Sequence, residues 1–169
     1  MASTYEPIAT TTLGSATNSI VFSSISSAYT DLKLIFVGKA DASAAGFTPR
    51  IQFNSDTATN YSRTSLYGNG TSAASNAGTG QIALNTSGAG AGLSTTQSAF
   101  MSWDIFSYAG STYKTVLVNQ NSDYNGSGGV DNTVGLWRST SAINSINVSI
   151  ASGNFTSGTT LTLYGIKAA

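Results

Sequence analysis

The chain has no histidine and no cysteine, only two prolines, and a single glutamate, Glu6, beside six aspartates. Without histidine the commonest general base and metal ligand is missing, and Ser-His-Asp hydrolysis is excluded with it. Without cysteine there are no disulfides and no thiolate-bound zinc, so packing alone must hold the fold, and no redox compartment can be inferred. Charged residues make up 8% of the 169, against about 25% in an ordinary soluble domain, so the polar surface must come from Ser, Thr, Asn and Gly. The formal net charge is zero and the seven cations are scattered from Lys33 to Lys167, which leaves no basic patch for a run of phosphates. No apolar run approaches the ~20 residues of a membrane-spanning helix. Met1 to Pro7 lacks the basic and apolar regions of a signal peptide. Neither nucleic acid nor membrane is expected as a partner.

Apolar material is plentiful, with 40% hydrophobic and 10% aromatic residues, enough for one core and one domain spanning residues 1–169. Hydroxyl and amide side chains favour strands and turns over helices. The apolar pattern has period two along the whole chain. It predicts strands over Tyr5–Thr12, Asn18–Ser23, Asp31–Lys39, Pro49–Asn54, Tyr61–Gly68, Gln97–Tyr108, Thr112–Gln120, Asp131–Arg138, Ile143–Ile150 and Thr159–Ile166. Asp31–Lys39 is partly apolar on both faces, as a central strand should be. Ala109-Gly110-Ser111 predicts a hairpin turn joining its two flanking strands at the sheet centre. The Gly-, Ala- and Ser-rich stretch from Gly70 to Thr95 reads as exposed loop and candidate contact segment, interrupted by one brief strand at Gln81–Leu84. The expected fold is all-β: an antiparallel two-sheet β-sandwich, jelly-roll-like, of about ten short strands.

Several residue sets carry a possible chemistry. A glycosidase needs two placed carboxylates, and seven acidic residues supply pairs only by chance. A Ser-Lys nucleophile is formally open, but serine is too abundant for any pairing to be informative. Asp104, inside the most apolar strand, is either a perturbed acid or, the favoured reading, a carboxylate that pairs with a cation or backbone amides or points to solvent at a subunit contact. Asp123, Asn125, Ser127 and Asp131 place oxygens along a Gly-rich loop, as a hard cation requires, but the bidentate Glu of a calcium loop is absent. The Gly78–Gly92 segment lacks the Lys and the helix of a phosphate loop. Catalytic, cofactor and metal residues are therefore assigned as none. Tyr61, Tyr67, Tyr108, Tyr113 and Tyr124 fall near strand ends, where exposed rings can stack on sugars. Tyr61, Tyr67, Tyr108 and Tyr124 are carried forward as candidate glycan or partner contacts. Trp103 and Trp137 are assigned to the core or to a subunit interface.

Specific runs of residues point further. Tyr5-Glu6-Pro7-Ile8-Ala9-Thr10, Tyr29-Thr30-Asp31-Leu32, Phe53-Asn54 with Asp56, Asn60-Tyr61-Ser62, Leu66-Tyr67-Gly68, Trp137-Arg138-Ser139-Thr140, Ile143-Asn144-Ser145-Ile146 and Leu161-Thr162-Leu163-Tyr164-Gly165-Ile166 resemble a family of small Ser/Thr/Gly-rich virion structural proteins of cyanophages and other aquatic tailed phages. The likeness spans nearly the whole chain except Ser72 to Leu93. It implies a structural role in the phage particle and offers no catalytic residues. The expectation is a capsid decoration, or cement, protein that binds the outer shell and stabilises contacts of the major capsid protein as a homotrimer or other homo-oligomer. Such a protein is made in the host cytoplasm, resides in the virion, and is not an enzyme. The alternative is a tail- or fibre-associated protein that binds host-surface glycan.

Overall fold

The computed structural model describes residues 4–41, 48–86 and 93–167. Alternation decides the architecture. In Asp31–Gly38, for example, Leu32, Leu34 and Phe36 are buried while Lys33, Ile35 and Val37 face outward, because successive side chains of a strand leave opposite faces of the sheet. Twelve strands are described: β1 (Tyr5–Thr12), β2 (Ser19–Phe22), β3 (Asp31–Gly38), β4 (Arg50–Phe53), β5 (Tyr61–Gly68), β6 (Ala73–Gln81), β7 (Leu84–Asn85), β8 (Ala99–Ile105), β9 (Lys114–Asp123), β10 (Gly128–Trp137), β11 (Ile146–Ser149) and β12 (Thr160–Ile166).

They form two antiparallel sheets, one of eight strands in the order β1-β12-β3-β8-β9-β10-β5-β6 and one of four in the order β2-β11-β4-β7. The pairing is nested. β1 pairs with β12, β2 with β11, β3 with β8 and β4 with β7. That is one long hairpin rolled up so that its strands fall alternately in two sheets, the jelly-roll wrapping. Two hairpins are added: β5–β6 between β4 and β7, and β9–β10 between β8 and β11. Both extend the same sheet beyond its first four strands.

The sandwich expected from the periodicity is therefore present, and the β8–β9 pair does occupy the middle of the large sheet. The Gly70–Thr95 expectation is corrected. Eleven of its twenty described residues lie in strands: Ala73–Gln81 forms β6 on β5, and the brief strand lies at Leu84–Asn85. Residues 87–92 lie outside the described residues. The strand expected to begin at Asp131 begins at Gly128, because Asn125-Gly126 makes a two-residue hairpin turn. Both of its central residues have positive φ, 63° and 92°, the conformation that matches strand twist and favours Asn-Gly.

Between the sheets lies one continuous core. It includes Leu34, Trp103 and Val118, which stand side by side on adjacent strands of the large sheet, and Ile51 and Val148, opposite each other in the small one. Phe53 of the small sheet meets Trp137 of the large at 5.4 Å between ring centres. Gly135 of the large sheet faces Leu84 of the small one. A Cβ at 135 would lie 2.2 Å from a Leu84 methyl, so only glycine fits.

Candidate functional site

The tyrosines expected to face a ligand divide. Tyr61 and Tyr108 are fully buried and cannot stack on a sugar, which corrects the sequence expectation for both. Their hydroxyls are internal anchors. Tyr61 Oη accepts from the Phe53 amide at 3.0 Å and reaches the Asp56 carbonyl at 3.2 Å. Tyr108 Oη donates to the Ser26 carbonyl. Burial pushes both phenols above their ordinary ionisation range. Tyr67 and Tyr124 are half-buried, Tyr67 on the inner face of β5 beside Asp131 and Tyr124 in the β9–β10 turn. The structure does not gather the four into one site. Trp103 and Trp137 are both core residues.

Each of the seven carboxylates has a structural partner. Asp104 is bound to Lys33 at 2.5 Å on the outer face of the large sheet, the cation pairing included in the reading favoured above. Glu6 pairs with Lys167 at 2.8 Å, Asp31 accepts from the Ser107 amide at 2.6 Å, and Asp41 from the Asn154 amide at 2.8 Å. Asp56 accepts from Trp137 Nε1 at 2.7 Å and from Asn60 and the Ala58 amide. Burial pushes its carboxyl up, but these hydrogen bonds outweigh burial and hold it below the usual range. Asp123 caps the hairpin by accepting from the Asn125 and Gly126 amides. Asp131 is buried on the inner face of β10 and accepts from Thr133 at 2.7 Å. Asp123 and Asp131 thus serve a turn and a core network, and the cation loop is not assembled. Among the described residues no group of three His, Cys, Asp or Glu comes together.

The inner face of the large sheet changes character along its width. One row of directly paired residues runs Leu163, Leu34, Trp103, Val118, Thr133, Ser65, Asn76. It is apolar as far as β9 and polar beyond. The polar end is hydrogen-bonded across strands: Ser65 and Thr133 hydroxyls lie 2.5 Å apart, Thr86 donates to Gln120 at 2.6 Å, and Arg63 Nη1 donates to Ser65 at 3.2 Å and Asn76 at 3.0 Å, while Arg63 Nε is buried without a partner. Such a network adds to the apolar contacts of Tyr61, Val118 and Trp137 in fixing the added hairpins to the sandwich.

On the outer face the added hairpins carry the opposite bias. Leu66 (63% exposed), Val130 (58%) and Val134 (47%) project from β5 and β10, and Val37 and Phe100, a cross-strand pair on β3 and β8, are also exposed. Asn119 and Asn132 bridge β9 and β10 at 2.9 Å between the apolar positions. Leu66, Val130, Asn119, Asn121 and Asn132 line a groove of ≈ 380 Å³. Elsewhere on the same face, Lys33 of β3 and Asp104 of β8 neutralise each other. Period-two reading places these side chains on one face of each strand. It could not show that neighbouring strands bring them together, because β5 reaches β10 across more than sixty residues of sequence.

No family model, no curated protein and no solved structure matches this chain. Its chemistry must therefore be read from its own surface. A broad, flat, nearly uncharged face of aliphatic and amide side chains suits contact with another macromolecule, since exposed apolar patches of this kind mark interaction sites.

Proposed function

We propose that this chain is a structural protein of a tailed-phage virion, a capsid decoration module that binds the outer shell through the outer face of its eight-stranded sheet and stabilises contacts of the major capsid protein. The observation that carries this reading is the combination of exposed Leu66, Val130 and Val134 on a sheet face where Lys33 and Asp104 pair with each other, in a chain whose seven carboxylates are all engaged structurally. The sequence resemblance to virion proteins supports the location on the particle. The same distribution of groups supports work by adhesion over bond-breaking. Many copies on a shell engage together, so each contact can be weak.

Sedimentation of purified chain with empty phage heads tests this reading. The wild-type chain is expected to co-sediment. The Val130→Asp/Val134→Asp variant is expected to bind at least about tenfold more weakly, since placing a carboxylate in a desolvated contact costs more than 1.4 kcal/mol. Wild-type chain that stays in solution, or a variant that binds equally well, would contradict it. The groove beside Asn119 and Asn132 also offers amide hydrogen bonds next to an apolar wall, which is what a glycan-binding tail or fibre protein requires. Under that reading the chain binds host-surface glycan and ignores empty heads.

A further inference from the structure

The two sheets have four edges, and three of them are protected. In the small sheet the edge strands β2 and β7 are only four and two residues long. In the large sheet β1 contains Pro7, has a register shift between Pro7 and Ala9, and carries the Glu6–Lys167 ion pair. Short strands, proline, bulges and charge are the devices that stop a sheet edge from pairing with another chain. β6 has none of them along its regular part. It runs nine residues as Ala-Ala-Ser-Asn-Ala-Gly-Thr-Gly-Gln, with no charge and no proline. The segment Ala73–Gly78 pairs in unbroken register with β5 on one side only. Its other row of backbone N–H and C=O groups has no ladder partner among the described residues, and its side chains from Ala73 to Ala77 are all exposed.

We propose that β6 pairs antiparallel with β6 of a second copy of this chain about a two-fold axis perpendicular to the sheet, joining the two large sheets into one. An antiparallel strand pair is self-complementary under such an axis, so one edge suffices and the assembly closes at two copies. A ring closed through sheet edges, as a trimer of this kind would be, must instead bring β6 against β1, whose edge is blocked. The occupant is a second copy because β6 carries no ionisable side chain. Self-pairing therefore brings no like charges together, while a charged foreign strand would find no complement here. The axis keeps both outer faces on the same side, so Leu66 and Val130 of the two copies are presented together. The pairing stands independently of the proposed role, and only the use of this doubled face in capsid binding rests on it.

Analytical ultracentrifugation of the full chain is the test. Wild type is expected at twice the chain mass of 17.2 kDa. Ser75→Lys/Ala77→Lys, which sets like charges across the axis, is expected at the mass of one chain with an unchanged circular dichroism spectrum. If that variant fails to fold, trapping decides. The chain has no cysteine, so Ser75→Cys and Ala77→Cys each introduce a sole thiol, and at least one should oxidise to a covalent dimer while Thr10→Cys on β1 does not. Wild type at the mass of one or of three chains overturns the proposal. So does a dimer that survives the lysines, or the absence of trapping on β6.

Discussion

At the scale of single residues the hydrogen-bonded groups around Asp56 and Tyr61 do the work that a disulfide does in other small domains. Asp56 ties the β4–β5 connection to Trp137 on β10, and Tyr61 from β5 ties the same connection to Phe53 on β4. Both shifts have consequences for pH. The folded-state pKa of Asp56 lies below its unfolded value, so its contribution is complete above the ordinary carboxylate range and is lost as pH falls through the lowered value. The phenols of Tyr61 and Tyr108 are shifted upward by burial. Their contribution is complete below about pH 10 and is lost as pH rises through the raised values. An alkaline titration followed by phenolate absorbance and circular dichroism should therefore show the last tyrosines ionising only as the fold is lost. Ionisation of all eight tyrosines with native dichroism retained would refute the assignment. The sequence reading offered Tyr61 and Tyr108 as candidate contacts beside the plain reading as strand residues, because tyrosine is good at both. The burial that separates the two uses arises from partners far away in sequence, such as Ser26 for Tyr108.

At the scale of elements, most strands were legible because one face of each is buried and the other is not. β3 and β12 show that alternation directly in their residues. β6 was not legible, since Ala, Ser, Asn and Gly carry no apolar alternation. It is a strand because β5 offers it a ladder and Arg63 reaches Asn76. The β9–β10 turn had its signal in Asn125-Gly126, since Asx and Gly residues make ordinary turns, the reading weighed against a cation loop. Packing between the sheets makes a sharp prediction at Gly135. Gly135→Ala should destabilise the fold by roughly 1–3 kcal/mol, the usual cost of forcing a methyl into a filled core, because its Cβ would meet Leu84. Urea denaturation measures this. The Gly135→Ala/Leu84→Val double variant should recover part of the loss by coupling, and a neutral single variant would show that the sheets do not meet there.

At the scale of the whole molecule, the nested jelly-roll order accounts for a stable sandwich, and the two added hairpins account for its asymmetry. They widen one sheet beyond the span of the other and expose an aliphatic and amide face on it. Composition foretold a surface poor in charge. It could not foretell which surface, because the pairing of β10 with β5 and of β5 with β6 decides where the exposed apolar side chains collect. Cryo-electron microscopy of intact particles carrying this chain tests the account most directly. The account predicts density for the sandwich on the outer surface of the head, with Leu66, Val130 and Val134 turned toward the major capsid protein. Density confined to the tail, or a head-bound sandwich whose large sheet turns that face to solvent, would contradict it.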